Sequence, residues 1–304
     1  MRIALLGLGL IGGSIARAIA AAREAAGPPV EAWTVVAWTP DGRAPAAALA
    51  AGVIDAAADS IGDTLSGADL VVLTAPPLAC LDLLEAVAAL RGVLPPAAVV
   101  TDVASTKAAI VERAAGLGLP FVGGHPMAGV TDRGFDASDG ALFDDRPWVI
   151  CEGPTSPEGG FEQVAALARA CGARPVAMSA AEHDRAVASV SHLPLVVAAA
   201  LVETVVARTD AIAADGSAGR APADWPAARA LAAGGWASST RLARGDVAMA
   251  TGIAITNGGV LAERIGELEE TLASWRRVIE AGDVEGVSAR FEDARRRLLD
   301  DETG

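Results

Sequence analysis

The 304-residue sequence contains no tyrosine and a single lysine, Lys107. Histidine and cysteine occur three times each, and aromatic residues make up 4% of the chain. Basic residues number 24 against 38 acidic ones, a formal net charge of −14. A chain this acidic lacks the basic surface that nucleic acid or an anionic membrane recognises. An anionic metabolite must therefore be held by a local arginine or by Lys107. Cys80, Cys151 and Cys171 show no C-x-x-C spacing, and three cysteines leave one unpaired in any scheme. Buried free thiols in a reducing, cytoplasmic setting are expected. No His/Cys/Asp/Glu set has zinc spacing, so no metal is expected. The apolar run 193-LPLVVAAALV-202 stops at Glu203, too short to span a bilayer. The opening MRIALLGLGL has glycines inside its apolar run and no small-residue cleavage pattern, unlike a secretion signal.

What is present falls into two rhythms. Short apolar runs at 2–7, 33–38, 69–75, 98–103, 120–124, 147–151 and 173–178 alternate with Ala-rich helical stretches such as 13–26, 78–91 and 106–116. Near-continuous apolar strands separated by helices predict a doubly wound, Rossmann-type α/β parallel sheet with right-handed crossovers. After about residue 179 the strand signal ends, and 180–208, 223–233, 245–280 and 284–300 read as helices. Residues 215–222 read as an exposed loop. The division expected is therefore 1–178, a dinucleotide-binding domain, and 179–304, an all-α domain. Its largely apolar helix 186–207 invites burial by a second copy, hence a homodimer.

The stretch 7-GLGLIGGS-14 fits G-x-G-x-x-G at Gly7, Gly9 and Gly12, between a strand and a helix. Gly7 permits the tight turn, Gly9 lets the backbone approach a pyrophosphate, and Gly12 allows close helix–strand packing. With Leu10 and Ile11 this turn would present helix N–H groups to the phosphates. Thr74, Ala75 and Pro76, at the end of another strand, would border the same cofactor. An acid is expected at the end of the second strand if the cofactor is NAD. That position is Thr39, with Asp41 two residues late and Arg43 nearby, a pattern that leans from NAD toward NADP.

Two further strand ends carry Ser105 and Lys107, in 101-TDVASTK-107, and His125, in 123-GGHPMAGV-130. The three would surround one crevice. Gly123 and Gly124 would leave room for a ligand, and Pro126 would stiffen a loop behind the imidazole. A histidine there suits proton transfer near neutral pH.

In this order, GLGLIGGS, TDVASTK, GGHPMAG, 191-SHLPLVVAAAL-201 and 234-GGWASSTRLARGD-246 resemble the prephenate/arogenate dehydrogenase family of tyrosine biosynthesis, over residues 1 to about 275. The resemblance implies a Rossmann domain joined to a helical dimerisation domain. It also implies hydride transfer from a cyclohexadienol carbinol to NAD(P), with loss of CO₂ and aromatisation. By resemblance His125 takes the ring hydroxyl's proton, Ser105 orients that hydroxyl and His125, and Arg241 holds a substrate carboxylate. His192 and Gly129 would lie at the substrate, His192 supporting the nicotinamide side or capping a helix.

Three positions depart from the family pattern. Leu195 stands where SHLPH has its second histidine. Gly129-Val130-Thr131 replaces G-T-E. Ser238 stands where an acid commonly precedes the arginine, so an ionic gate around Arg241 is not expected. All three lie where the substrate side chain should bind. They leave prephenate, arogenate or a 4-amino analogue of prephenate open. His183, in 181-AEHDRAV-187, reads as a structural helix-start residue. Rival readings are a β-hydroxyacid dehydrogenase or imine reductase, and a non-enzymatic NAD(P)-binding redox sensor. The first two typically use a helix lysine, which this helical half lacks.

Overall fold

The computed structural model describes residues 1–25, 30–129, 132–206 and 225–302. The first half alternates as the apolar runs predict: β1 (Arg2–Leu6), α1 (Leu10–Ala25), β2 (Thr34–Trp38), α2 (Arg43–Ala50), β3 (Ala56–Ala57), α3 (Ile61–Leu65), β4 (Leu70–Leu73), α4 (Pro77–Ala89), β5 (Val99–Asp102), α5 (Ala108–Gly116), β6 (Phe121–Pro126), β7 (Pro147–Glu152), α6 (Gly160–Ala170) and β8 (Arg174–Ala177). The strands form one sheet in the order β3-β2-β1-β4-β5-β6-β7-β8. Helices cover both faces. Ile3 and Leu5 pack on one side with Ile15 and Ile19 of α1, while Ala4 and Leu6 pack on the other with Leu84 and Val87 of α4. Burial on both faces is why these strands read as unbroken apolar runs.

The sheet is not wholly parallel. β7 runs antiparallel to β6, with His125 opposite Val149. Among the described residues between them only a short 3₁₀ turn, Phe135–Ala137, is helical, so no crossover helix returns the chain to the starting edge. β3 escaped the sequence reading because two alanines carry no strand pattern.

The second rhythm is helical: α7 (Ala180–Val187), a π turn (Ala188–His192), α8 (Leu193–Val205), α9 (Trp225–Leu231), α10 (Gly234–Ser239), a 3₁₀ turn (Arg241–Arg244), α11 (Val247–Thr256), α12 (Gly258–Glu280) and α13 (Val284–Glu302). Ser179 starts α7 with a reciprocal capping box to Glu182, satisfying two otherwise free N–H groups. The loop expected at 215–222 lies outside the described residues. α7, the π turn and α8 make one helical run of 26 residues whose most apolar 18-residue window has mean hydropathy 1.8, long and apolar enough by that measure to cross a membrane. The apolar stretch 193–202 alone is shorter because the helix continues back to Ala180. That earlier part carries Glu182, His183, Asp184 and Arg185, and Asp184 is bonded to the start of α5.

The chain divides into two compact units, Met1–Gly258 and Gly259–Gly304. In the first, α11 comes so close to α4 that a Cβ on Gly252 would stand 2.8 Å from Pro77. The Thr106 and Thr256 hydroxyls bond at 2.7 Å beside this contact. The second unit is a hairpin of α12 and α13, turning at Gly282 with φ +63°. Trp275 packs on Phe291 with ring centroids 4.9 Å apart, and Arg290 lies over Trp275.

The single lysine is structural. Lys107 is fully buried, and its ammonium bonds the Asp102 carboxylate and, at 2.7 Å, the Gly124 carbonyl. Asp102 also accepts from the N–H groups of Ala104 and Gly124. This corrects the expectation that Lys107 faces the crevice. It also explains Gly123 and Gly124. A Cβ on Gly124 would stand 2.6 Å from the Asp102 carbonyl, and one on Gly123 would stand 3.2 Å from the Lys107 stem. The two glycines let β6 pack closely on β5 and on the Lys107 stem. Lys107→Met should strand a buried carboxylate and cost about 3–5 kcal/mol in urea denaturation. A loss below about 1 kcal/mol would show that the pair does not hold β5 to β6.

Candidate active site

The glycine turn has the geometry its spacing predicts. Gly7 has φ +112°, and a Cβ there would stand 2.4 Å from the Thr74 carbonyl oxygen. A Cβ on Gly12 would meet the Gly7 carbonyl and Thr74 Oγ1, both at 2.8 Å. Thr74 Oγ1 donates to the Gly7 carbonyl at 2.7 Å, tying the end of β4 to the turn. Gly9 faces open space, with nothing within 4 Å of a would-be Cβ. An open glycine at the N-terminus of a 16-residue helix fits a diphosphate approaching the backbone. Gly13 is occupied differently: Ser138 and Phe135 press against it within 2.9 Å.

A cavity of about 460 Å³ opens beside this turn. It brings together Gly9, Leu10, Ile11, Thr74, Ala75 and Pro76 with Gly129, Leu195 and Arg241. Residues assigned from sequence to cofactor and to substrate thus share one space. Arg241 sits on the 3₁₀ turn, with no ion pair among the described residues, and can meet an incoming carboxylate. Arg133, missed in the sequence, also lines the cavity. It donates to the Gly245 carbonyl at 2.8 Å and pairs with Asp246 at 3.2 Å. Asp246 in turn caps α11 through the Met249 N–H. An ion pair therefore does stand beside Arg241, built from residues other than those of the family pattern. Ser238 bonds only the Gly235 carbonyl, and Val130 and Thr131 lie outside the described residues.

Thr39 and Arg43 stand apart from this cavity, past the end of β2. The Asp41 carboxylate accepts from the Thr39 hydroxyl at 3.1 Å and from the Arg43 N–H at 3.2 Å. The Arg43 N–H and then the Thr39 hydroxyl hold the Asp41 carboxyl below its usual value. The Arg43 side chain is 89% exposed.

His125 is the penultimate residue of β6 and not part of a loop. Its Nδ1 lies 2.7 Å from Nε2 of His183, and His183 Nδ1 lies 2.8 Å from the Asp184 carboxylate. His183, read from sequence as a helix-start residue, is 1% exposed and in line with the proposed base. An E-H-D triplet at the start of an amphipathic helix gives no sign of this, because the partner is 58 residues away. Burial first, then the neighbouring His183, Lys107 and His192, hold His125 well below the ordinary 6.5. Burial raises the Asp184 carboxyl, but hydrogen bonds from His183 and the Ala108 and Lys107 N–H groups outweigh it, and the net shift is down.

Two expected site residues sit differently. Ser105 Oγ has Met249 Sδ at 3.8 Å as its partner, and no hydrogen bond joins it to His125 among the described residues. His192 is fully buried, and its Nδ1 lies 3.2 Å from the Asn257 amide nitrogen. Its side chain caps no helix, and no face of it reaches solvent. Burial pushes it down to about 4. The three cysteines are free and buried, and burial pushes the Cys80 and Cys151 thiols up to about 12.

His125 and Ser105 are not among the residues that line the cavity. A Rossmann sheet, an open glycine at a helix start and a cavity shared with an arginine define an NAD(P)-dependent dehydrogenase. Residues 31–177 match the family model of the prephenate dehydrogenase nucleotide-binding domain, and residues 179–293 that of the prephenate dehydrogenase dimerization domain. The chain belongs to the prephenate dehydrogenase family. It is 31% identical to the prephenate dehydrogenase of Bacillus subtilis over 297 residues, 96% of this chain and 74% of that one. The structure of Synechocystis arogenate dehydrogenase aligns with a TM-score of 0.76 at 26% identity, covering 99% of both chains. The fold is also that of Aquifex aeolicus prephenate dehydrogenase, solved with hydroxyphenyl propionate and NAD⁺, with a TM-score of 0.81 at 23% identity over 99% and 98% of the two chains.

Arg241→Gln should raise KM by about tenfold or more with a smaller change in kcat, because a charge-assisted contact to substrate is lost. Steady-state kinetics decide, and a loss confined to kcat would contradict that role. His125 must be neutral to accept a proton, and its imidazolium is held below 6.5. Activity should therefore be level through neutrality and fall only in acid. A kcat/KM profile with its acid midpoint above about pH 7 would contradict this.

Proposed function

We propose that this enzyme oxidatively decarboxylates prephenate, arogenate or both, giving 4-hydroxyphenylpyruvate or tyrosine. The observation that carries the reading is the shared cavity, which unites the glycine turn with an arginine that has no ion pair among the described residues. A nicotinamide dinucleotide held at the Gly7–Gly12 turn would supply the hydride acceptor for the ring carbinol carbon. His125 takes the hydroxyl proton as the hydride departs. The ring carboxylate then leaves as CO₂, its bonding electrons complete the aromatic ring, and the proton returns to the phenolate oxygen. Arg241 orients the substrate by a carboxylate, and Ser105 meets the ring hydroxyl. His192 and Gly129 belong to the substrate side, His192 through the packing behind Asp184. General-base assistance of this kind contributes about 10²–10⁴-fold.

The side-chain preference follows from charge. Arg133 and Asp246 neutralise each other, which leaves Arg241 and Asp132 as the cavity charges without a partner among the described residues. One free cation and one free anion suit the zwitterionic amino-acid end of arogenate. Leu195, apolar, replaces a histidine at the same wall. For the cofactor, β2 ends without an acid, Asp41 is committed to its own turn, and the exposed Arg43 side chain, held only by a 3.9 Å surface contact to Asp41, can turn to a 2′-phosphate. This supports NADP over NAD.

The domain division proposed is 1–178 and 179–304, with the helical part pairing two copies as a homodimer. The dimerization-domain match supports this. So do the exposed apolar side chains Val190, Val247 and Ile255 of the first unit and Leu272 and Ile279 of the second. Three free buried thiols support a reducing, cytoplasmic setting.

A two-by-two steady-state assay tests the reading, with prephenate and arogenate each paired with NAD and NADP. The highest kcat/KM is expected for arogenate with NADP. A prephenate preference would overturn the charge argument, and an NAD preference the role of Arg43. No turnover in any combination, with cofactor still bound, would favour the amino analogue or a redox sensor.

A further inference from the structure

We infer that His183 and Asp184 act behind His125 as positioning residues, fixing which of its two nitrogens stays free to take the substrate's proton. The inference rests on the reading of His125 as the base.

The argument runs from the buried end outward. The Asp184 carboxylate is an acceptor on every side. It receives the Lys107 N–H at 2.7 Å on one oxygen and the Ala108 N–H at 2.8 Å on the other. Its third neighbour, His183 Nδ1, must therefore donate to it. With one proton on the His183 ring, Nε2 is left as an acceptor. Nε2 faces His125 Nδ1 at 2.7 Å, so His125 must donate through Nδ1. The rings meet edge-on, 76° apart, which is compatible with an N–H···N bond between them. His125 Nε2 is then bare, and it is the only nitrogen left to accept a hydroxyl proton.

The same chain handles the charge that forms. When Nε2 takes the proton, Nδ1–H still donates to His183, and His183 still donates to Asp184. The imidazolium thus faces a carboxylate through one intervening ring, and no second proton needs to move. The opposing charges near His125 are His183 and Asp184 from α7, Lys107 and Asp102 from the β5–α5 junction, and His192 from the π turn. A purely structural role for the pair, holding α7 against α5, would demand neither the in-line contact to His125 nor any particular tautomer there.

The experiment is nitrogen NMR on the full chain labelled with ¹⁵N-histidine. Three histidines give a short spectrum, which His125→Asn and His183→Phe assign. In the unsubstituted protein without substrate, neutral His125 should carry its proton on Nδ1 and leave Nε2 bare. His183→Phe fills the slot but makes neither bond. It should lose that tautomer and lower kcat on the order of 10²-fold with KM changed by less than about threefold. His183→Gln, whose amide can accept from His125 and donate to Asp184, should recover much of that loss. Neutral His125 protonated on Nε2 in the unsubstituted protein would overturn the inference, even if no variant folds. So would a His183→Phe enzyme with undiminished kcat. The tautomer is read without turnover, so the inference can fail while His125 remains the base.

Discussion

The Asp184 carboxylate is where the parts of this site meet. It leads from α7, takes both backbone N–H groups that open α5, and accepts from His183. Its own carbonyl accepts from Asn257 at the end of α11. One buried group thus ties a sheet edge to the helices that follow it. Breaking one partner of such a group leaves a buried polar atom unsatisfied, which costs about 1–3 kcal/mol for each bond lost. The cavity wall inherits this rigidity, because α11 supplies Asp246, Met249 and Ala250 to it.

A second buried charge lies beside the first. Lys107 and Asp102 join the ends of β5 and β6 from within, one residue before His125. Two adjacent ionic groups, each fully hydrogen-bonded, turn a strand end into a fixed mount for an imidazole. The mount also lowers the imidazolium's stability, through burial first and neighbouring positive charge second. An imidazole kept neutral by its surroundings is able to accept a proton, as the role proposed for His125 needs.

How much of this was legible depended on whether the signal was local. The glycine turn was, since Gly7, Gly9 and Gly12 lie within six residues, and the turn has the tight φ at Gly7, the open Gly9 and the close packing at Gly12 that the spacing predicts. The seven apolar runs were, because burial on both faces writes itself into consecutive residues. Arg241 was placed only by resemblance; it lines the cavity beside the glycine turn. His183 was missed because its partner comes from another strand. Lys107 was misplaced for the same reason: a lysine at a strand end reads as a site residue until Asp102 and Gly124 are seen to enclose it. The reversal of β7 was also hidden, since strand direction leaves no trace in the strand's own residues. Arg133 and Asp246 are 113 positions apart, and nothing in either neighbourhood announces their pairing.

The central claim is that His125 takes the proton in a dehydrogenase reaction whose cofactor turn it does not touch. His125→Asn, measured for kcat and for nicotinamide binding by fluorescence in the same preparation, separates the two. The account predicts that kcat falls about 10²–10⁴-fold while the cofactor Kd stays within about twofold. A variant that keeps kcat within about threefold would contradict it, and the proton would then need another acceptor.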